Sequence, residues 1–236
     1  MRATEWIGVN GLVVRRGSFT LEIPRWKVVP GQVVGLVGPN GAGKTTLLEC
    51  LGGLRVIDDG TIRVFDLDPW RNPVRVRAEL GFMSDDMPLF AMRIGGLLRM
   101  LSGYYKTWDR ELVEELLGRF KLDPRKRVYE LSKGQGTRLR LVTAMAFRPR
   151  VLLLDEPAAG LDLGGRRALL DSVLDVVRDP ERSVIISSHM LVDVERVADR
   201  LLVLNEGRVV KEGPTDTLVG GERTLEEALL AWGAAG

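Results

Sequence analysis

Short apolar runs recur along the chain, separated by Gly, Pro and charged residues. Over the first thirty residues they are Trp6 to Val9, Leu12 to Arg15, Phe19 to Ile23 and Trp26 to Val29, the spacing of an antiparallel β unit. After a turn at Pro30-Gly31, Gln32 to Val37 is largely apolar and reads as a buried strand. It leads into Gly38-Pro39-Asn40-Gly41-Ala42-Gly43-Lys44-Thr45-Thr46 and a helix from Lys44 to Leu51 that stops at Gly52-Gly53. Asp58-Asp59-Gly60 is a turn before a strand over Thr61 to Phe65.

The period changes from about Met87 to Phe147. Leu112, Val113, Leu116, Leu117 and Phe120 fall on one helical face, with Asp109 placed to cap it, and Leu97, Leu98 and Leu101 mark a helix before it. The stretch 87–147 is therefore read as a helical subdomain. Strand and helix alternate again afterwards: Val151 to Leu154, Gly165 to Val177, Val184 to Ser187, Val192 to Asp199, and a hairpin of Leu201 to Leu204 with Arg208 to Lys211. A short C-terminal tail, about 214–236, is helical around Leu225 to Trp232. The fold class expected is α/β: a mostly parallel sheet with an N-terminal antiparallel β subdomain and a helical insert, in one domain spanning 1–236.

Composition narrows the function classes. The 236 residues carry 34 basic and 32 acidic side chains, a net charge of +2, which gives no electrostatic case for nucleic acid as a partner. The single cysteine, Cys50, rules out an internal disulfide or a cysteine metal cluster. No apolar run approaches the roughly 18–20 residues that span a bilayer, and Met1 to Trp6 lacks the apolar core of a signal peptide.

Gly38 to Thr45 fits G-x-x-x-x-G-K-[ST] between a predicted strand and a predicted helix, the context that motif requires. Glycines let successive N–H groups turn toward phosphate oxygens, and the helix N-terminus adds partial positive charge there. Lys44 can reach the terminal phosphates and the Thr45 hydroxyl can ligate Mg²⁺. Alone the loop says nucleoside triphosphate, with kinases, GTPases, helicases and transport ATPases all open. The strand Val151 to Leu154 ends in Asp155-Glu156, at the sheet edge where α/β proteins bind ligands. Adjacent strand residues face opposite ways, so Asp155 is assigned to Mg²⁺ and Glu156 to the attacking water. His189, the one histidine, follows a second apolar strand end and is assigned to sensing the γ-phosphate.

Leu131-Ser132-Lys133-Gly134-Gln135, about twenty residues before the acidic strand, closely resembles the LSGGQ signature of ATP-binding cassette (ABC) ATPases, with Lys133 at the first glycine. The resemblance covers nearly the whole chain and includes Ala159-Gly160-Leu161-Asp162, similar to the family's D-loop. It implies a P-loop NTPase core that binds ATP with Mg²⁺ and hydrolyses it to power transport, most resembling exporters whose membrane subunits are separate chains. It further implies a head-to-tail pair with a second ATP-binding subunit, the same chain or a different one. Ser132, Gly134, Gln135 and Asp162 would then complete the site across the interface. Integral-membrane permease subunits would hold the chain at the cytoplasmic face of the membrane.

Three departures stand out. Asp85 occupies the position where the family usually has glutamine, and is expected to contact Mg²⁺; a plain acidic loop with Asp86 is the alternative. Ala159 replaces a usual serine. No tyrosine stands at the usual adenine-stacking position, where Arg15 or Arg16 falls and where Phe19 is the aromatic substitute, unless Phe19 packs into the core. A soluble ABC ATPase acting on ribosomes, DNA or Fe–S assembly is the alternative reading, and a non-hydrolysing ATP-binding module is a third. Glu156 and His189 both argue against the last.

Overall fold

The structure is a computed structural model that describes residues 5–189, 191–220 and 224–233. Residues Met1 to Thr4 of the segment read against a signal peptide, and residues 221–223 and 234–236 of the predicted tail, lie outside the described residues. One nine-stranded sheet organises the chain in the order β4-β1-β2-β9-β8-β3-β7-β6-β5. Its antiparallel end comprises β1 (Ile7–Arg16), β2 (Phe19–Val28) and β4 (Asp59–Val64). The four short runs expected here are thus two ten-residue strands. Pro24 lies inside β2, opposite Gly11, and the one printed pairing of β2 with β9 (Arg208–Pro214) falls at Glu22, so the missing N–H interrupts no ladder there.

The other end is parallel: β3 (Val33–Val37) lies between β8 (Arg200–Asn205) and β7 (Ser183–Ser187), followed by β6 (Val151–Asp155) and β5 (Leu80–Met83). Side-chain alternation splits each of these strands between two cores. Val33 and Val37 pack on one sheet face with Leu152, Leu154, Val184 and Ile186. Val34 and Leu36 pack on the other with Leu153, Ile185 and α1 (Lys44–Leu51). Burial on both faces is why these strands read as unbroken apolar runs. Cys50 lies in the second core, and burial pushes its thiol up to about 12.

After α2 (Pro73–Arg77) and β5 come α3 (Ile94–Ser102), α4 (Arg110–Arg119) and α5 (Lys133–Met145). Asp109 caps α4, its carboxylate accepting the Leu112 N–H at 2.9 Å, as its position predicted. The remaining helices are α6 (Leu163–Val177), α7 (Leu191–Val197), α8 (Thr215–Val219), which the periodicity did not reveal, and α9 (Leu225–Ala231). Trp6 and Trp26 are buried, whereas Trp70 is half exposed. Among the described residues no helix is long and apolar enough to cross a membrane.

Candidate active site

Sheet order brings the candidate residues to one edge. β3, β7 and β6 are neighbours, and parallel registers set Leu36 against Ser187 and Ser187 against Asp155. The phosphate loop leaves β3 at the same carboxyl edge as the two acids. Gly38 has φ of 145°, and a Cβ on it would stand 2.0 Å from the Leu204 carbonyl oxygen, so only glycine lets the loop leave the strand this way. Lys44 is buried at the start of α1, and its ammonium donates to the Gly38 and Pro39 carbonyls at 2.7 and 3.0 Å. Two of its three donors thus hold the loop's own backbone, and one remains for a phosphate oxygen. Burial lowers the Lys44 pKa, and the nearby Glu156 and Asp155 oppose that shift.

Thr45 Oγ1 donates to Asp155 Oδ2 at 2.7 Å, and Ser187 Oγ donates to Asp155 Oδ1 at 2.6 Å. Ser187 Oγ also accepts the Glu156 N–H at 3.0 Å, so one buried hydroxyl anchors both acids. The sequence marks Ser187 only as the last residue of an apolar strand; its role comes from the β6–β7 register. Glu156 sits in left-handed backbone, φ 48°, where the chain turns off the strand. Its Oε2 accepts the His189 N–H at 3.2 Å and lies 2.6 Å from His189 Nδ1. An ionised carboxylate only accepts, so this contact puts a proton on Nδ1.

A cavity of about 500 Å³ opens over the loop, lined by Arg16, Phe19, Gly41, Lys44, Thr45 and Glu156 among others. Phe19 is partly buried, and its ring also lies 3.1 Å from where a Cβ on Gly43 would be. It thus lines the cavity and also packs against the loop. The donor set fits Mg²⁺: a hydroxyl and a carboxylate oxygen already meet at Thr45 and Asp155. Among the described residues no three His, Cys, Asp or Glu side chains converge on a metal site. A cation here would therefore take its remaining ligands from phosphate and water, the usual habit of Mg²⁺.

Other expected site residues lie elsewhere on the chain. Ser132 caps α5: its Oγ accepts the Gln135 N–H at 3.3 Å, and Gln135 Oε1 accepts the Ser132 N–H at 3.1 Å. A Cβ on Gly134 would be 2.6 Å from the Gly160 carbonyl oxygen, so glycine lets α5 rest on the 158–162 loop. Asp162 caps α6 through Gly165 N–H at 2.8 Å and pairs with Arg138 at 2.5 Å; the Gly165 hydrogen bond is the main reason its pKa is lowered. Within one chain its carboxylate serves α6 and Arg138 rather than the phosphate loop.

Asp85, expected to contact Mg²⁺, follows β5, and its carboxylate meets Lys133 Nζ at 3.0 Å and Arg140 Nη1 at 3.6 Å, both on α5.

The sequence pattern of the family described as ABC transporter matches residues 21–159, which run from β2 through the phosphate loop and the helical insert to the acidic pair. The chain belongs to the ABC transporter family. It resembles the "Daunorubicin resistance ATP-binding protein DrrA3" of Streptomyces coeruleorubidus, 37% identical over 207 residues, which cover 84% of this chain and 65% of that protein. It also resembles the "Phosphate import ATP-binding protein PstB 2" of Natronomonas pharaonis, 31% identical over 221 residues, 85% of this chain and 76% of that one. The chain thus spans just under two thirds of the first relative's length. A solved structure titled "Structure of ATP binding subunit of ABC transporter" superposes with a TM-score of 0.87 at 25% identity, covering 97% of this chain and 99% of the other.

Proposed function

We propose that the chain binds MgATP at Gly38 to Thr46, hydrolyses it to ADP and phosphate, and so energises export of a substrate through separate membrane-spanning subunits. The observation that carries this reading is the continuous set Thr45–Asp155–Ser187–Glu156–His189, joined by hydrogen bonds beside the phosphate-loop cavity that Lys44 also lines. Lys44 donates to the phosphates, while Thr45 and Asp155 would hold Mg²⁺, which when bound would supply charge neutralisation for the phosphate oxygens. Glu156 takes a proton from water as the water oxygen bonds to the γ-phosphorus and the bond to the β–γ bridging oxygen breaks. His189 holds Glu156 by its Nδ1–H. To donate to the γ-phosphate as well it must also be protonated at Nε2; a change of tautomer would free Nε2–H only by giving up the donation to Glu156.

A second subunit would supply Ser132, Gly134, Gln135 and Asp162 to each site. That arrangement is supported by their position: none of the four touches the phosphate loop of its own chain in any described hydrogen bond. The membrane partner would dock against the apolar groove beside Phe82, Met87, Leu89, Phe90 and Leu97. There Phe90 is 60% exposed, and Tyr104, on the same insert, is 78% exposed. Tyr105 itself stacks on Phe147 at 3.9 Å and is packing rather than a contact surface. Docking there would place the chain at the cytoplasmic face. Relatives named for resistance and for import both occur, so direction needs its own test.

Mixing two inactive variants tests the shared site. Lys44→Ala removes the phosphate contact and Ser132→Arg blocks the partner face. In a head-to-tail pair one composite site carries both lesions and the other neither, so the mixture regains part of the wild-type ATPase rate. Heterodimers that form without regaining activity refute the shared site. Reconstitution with a membrane-spanning partner subunit in vesicles tests direction: ATP supplied on the side of this subunit drives substrate away from that side. Movement toward it overturns export.

A further inference from the structure

Lys133, Thr137 and Arg140 stand at i, i+4 and i+7 on α5 and therefore share one face of the helix. All three address Asp85. Lys133 Nζ is 3.0 Å and Arg140 Nη1 is 3.6 Å from its carboxylate, and the buried Thr137 hydroxyl is 3.5 Å from Oδ1. Arg140 also donates through Nε to the Met87 carbonyl at 2.7 Å, so the same face holds the backbone of the loop that follows β5. Asp85 and Lys133 are two of the positions at which the sequence departs from the ABC pattern, and they are paired with each other, 48 residues apart.

The same side chains reach the loop after Glu156. Carbons of the Lys133 stem lie 3.5–3.7 Å from where a Cβ on Gly160 would be, and the Thr137 hydroxyl lies 3.4 Å from the Ala159 carbonyl. The Ala159 N–H in turn donates to the Glu156 carbonyl at 3.1 Å. Short contacts thus run from the loop after β5, through the start of α5, to the residue that polarises water. We propose that Lys133 is a positioning residue that acts through Asp85. Its ammonium fixes the loop after β5, and its stem covers Gly160, so that the signature turn and the 158–162 loop keep one spacing from Glu156. Lys133 is 68% exposed at its side chain and Asp85 30%, so the pair is worth no more than about fivefold in an equilibrium.

The test is a double-mutant cycle in the full chain with Lys133→Met, which keeps the stem and removes the charge, and Asp85→Asn. The kinetic arm rests on the ATP-hydrolysis reading; the second arm does not. In the kinetic arm each single variant lowers kcat about fivefold with the KM for ATP within about twofold, and the double variant is no worse than the poorer single. Lys133→Arg keeps wild-type kcat, and Asp86→Asn changes nothing. In the second arm, amide hydrogen exchange without nucleotide quickens about two- to fivefold at residues 84–90 and 158–162 in both single variants. Losses that multiply in the double variant, or a KM that rises fivefold in Lys133→Met, overturn the proposal, because Lys133 then acts on something other than Asp85. Unchanged exchange at both loops overturns it too. If wild-type protein hydrolyses no ATP, the functional reading fails while the exchange cycle still decides the pair.

Discussion

Replacing Ser187 with alanine removes one oxygen from the centre of the site. That oxygen is fully buried, donates to Asp155 Oδ1 at 2.6 Å and accepts the Glu156 N–H at 3.0 Å. A hydrogen bond to a charged group contributes about 1.5–3 kcal/mol, and the loss of the second, neutral bond costs about 0.5–1.5 kcal/mol more. No water-sized space opens when a hydroxyl becomes a hydrogen, so neither group regains a partner. The expected destabilisation is therefore about 2–4.5 kcal/mol, read as a lower urea midpoint at unchanged slope. For a chain of this length it appears as a Tm lower by roughly 4–18 °C. Turnover falls as well, since both acids lose a common anchor and Glu156 keeps its left-handed backbone with one bond fewer. ATP affinity changes less, because Lys44 and the loop are untouched. A Ser187→Ala protein within about 0.5 kcal/mol of wild type would refute the reasoning: the two acids would then be held by the sheet alone.

Burial lowers the Lys44 pKa, and the charged form is the one that binds phosphate, so ATP affinity should fall with rising pH before the ordinary lysine range is reached. Glu156→Gln removes a neighbouring negative charge and should shift that alkaline limb lower; a limb unmoved in titrations of nucleotide affinity counts against the electrostatic account. Asp109 caps α4 and pairs with Arg148, and both hydrogen bonds hold its carboxyl below the usual carboxylate range, the Leu112 N–H contributing most. Its contribution is therefore present above the unfolded carboxylate pKa and fades as pH falls through the lowered value. Asp109→Ala should cost about 1 kcal/mol in urea unfolding at pH 7 and less near pH 2; equal cost at both would show that charge plays no part.

The phosphate loop, the acidic strand end and the helix cap at Asp109 were legible because each depends on residues close in sequence. Local spacing fixes them, and the structure places them as read. What sequence did not show depends on contacts made across the fold. Ser187 gains its role from the register of β7 against β6. Asp85 reads as a metal contact from its place after β5, yet α5 presents Lys133 and Arg140 to it. The first strands read as four because Asn10-Gly11 and Pro24 look like breaks; pairing skips Gly11, where the register against β4 shifts, and resumes beyond it on both sides, so β1 continues as one strand.

The central claim is that Glu156 polarises water for attack on bound ATP, and it is met most directly by comparing wild type with Glu156→Gln. Nucleotide affinity and steady-state phosphate release are measured on the same preparations at saturating Mg²⁺. The account predicts ATP affinity within severalfold of wild type and turnover lower by about 10²-fold or more, the scale of a positioned general base. Equal turnover in the two proteins would contradict it.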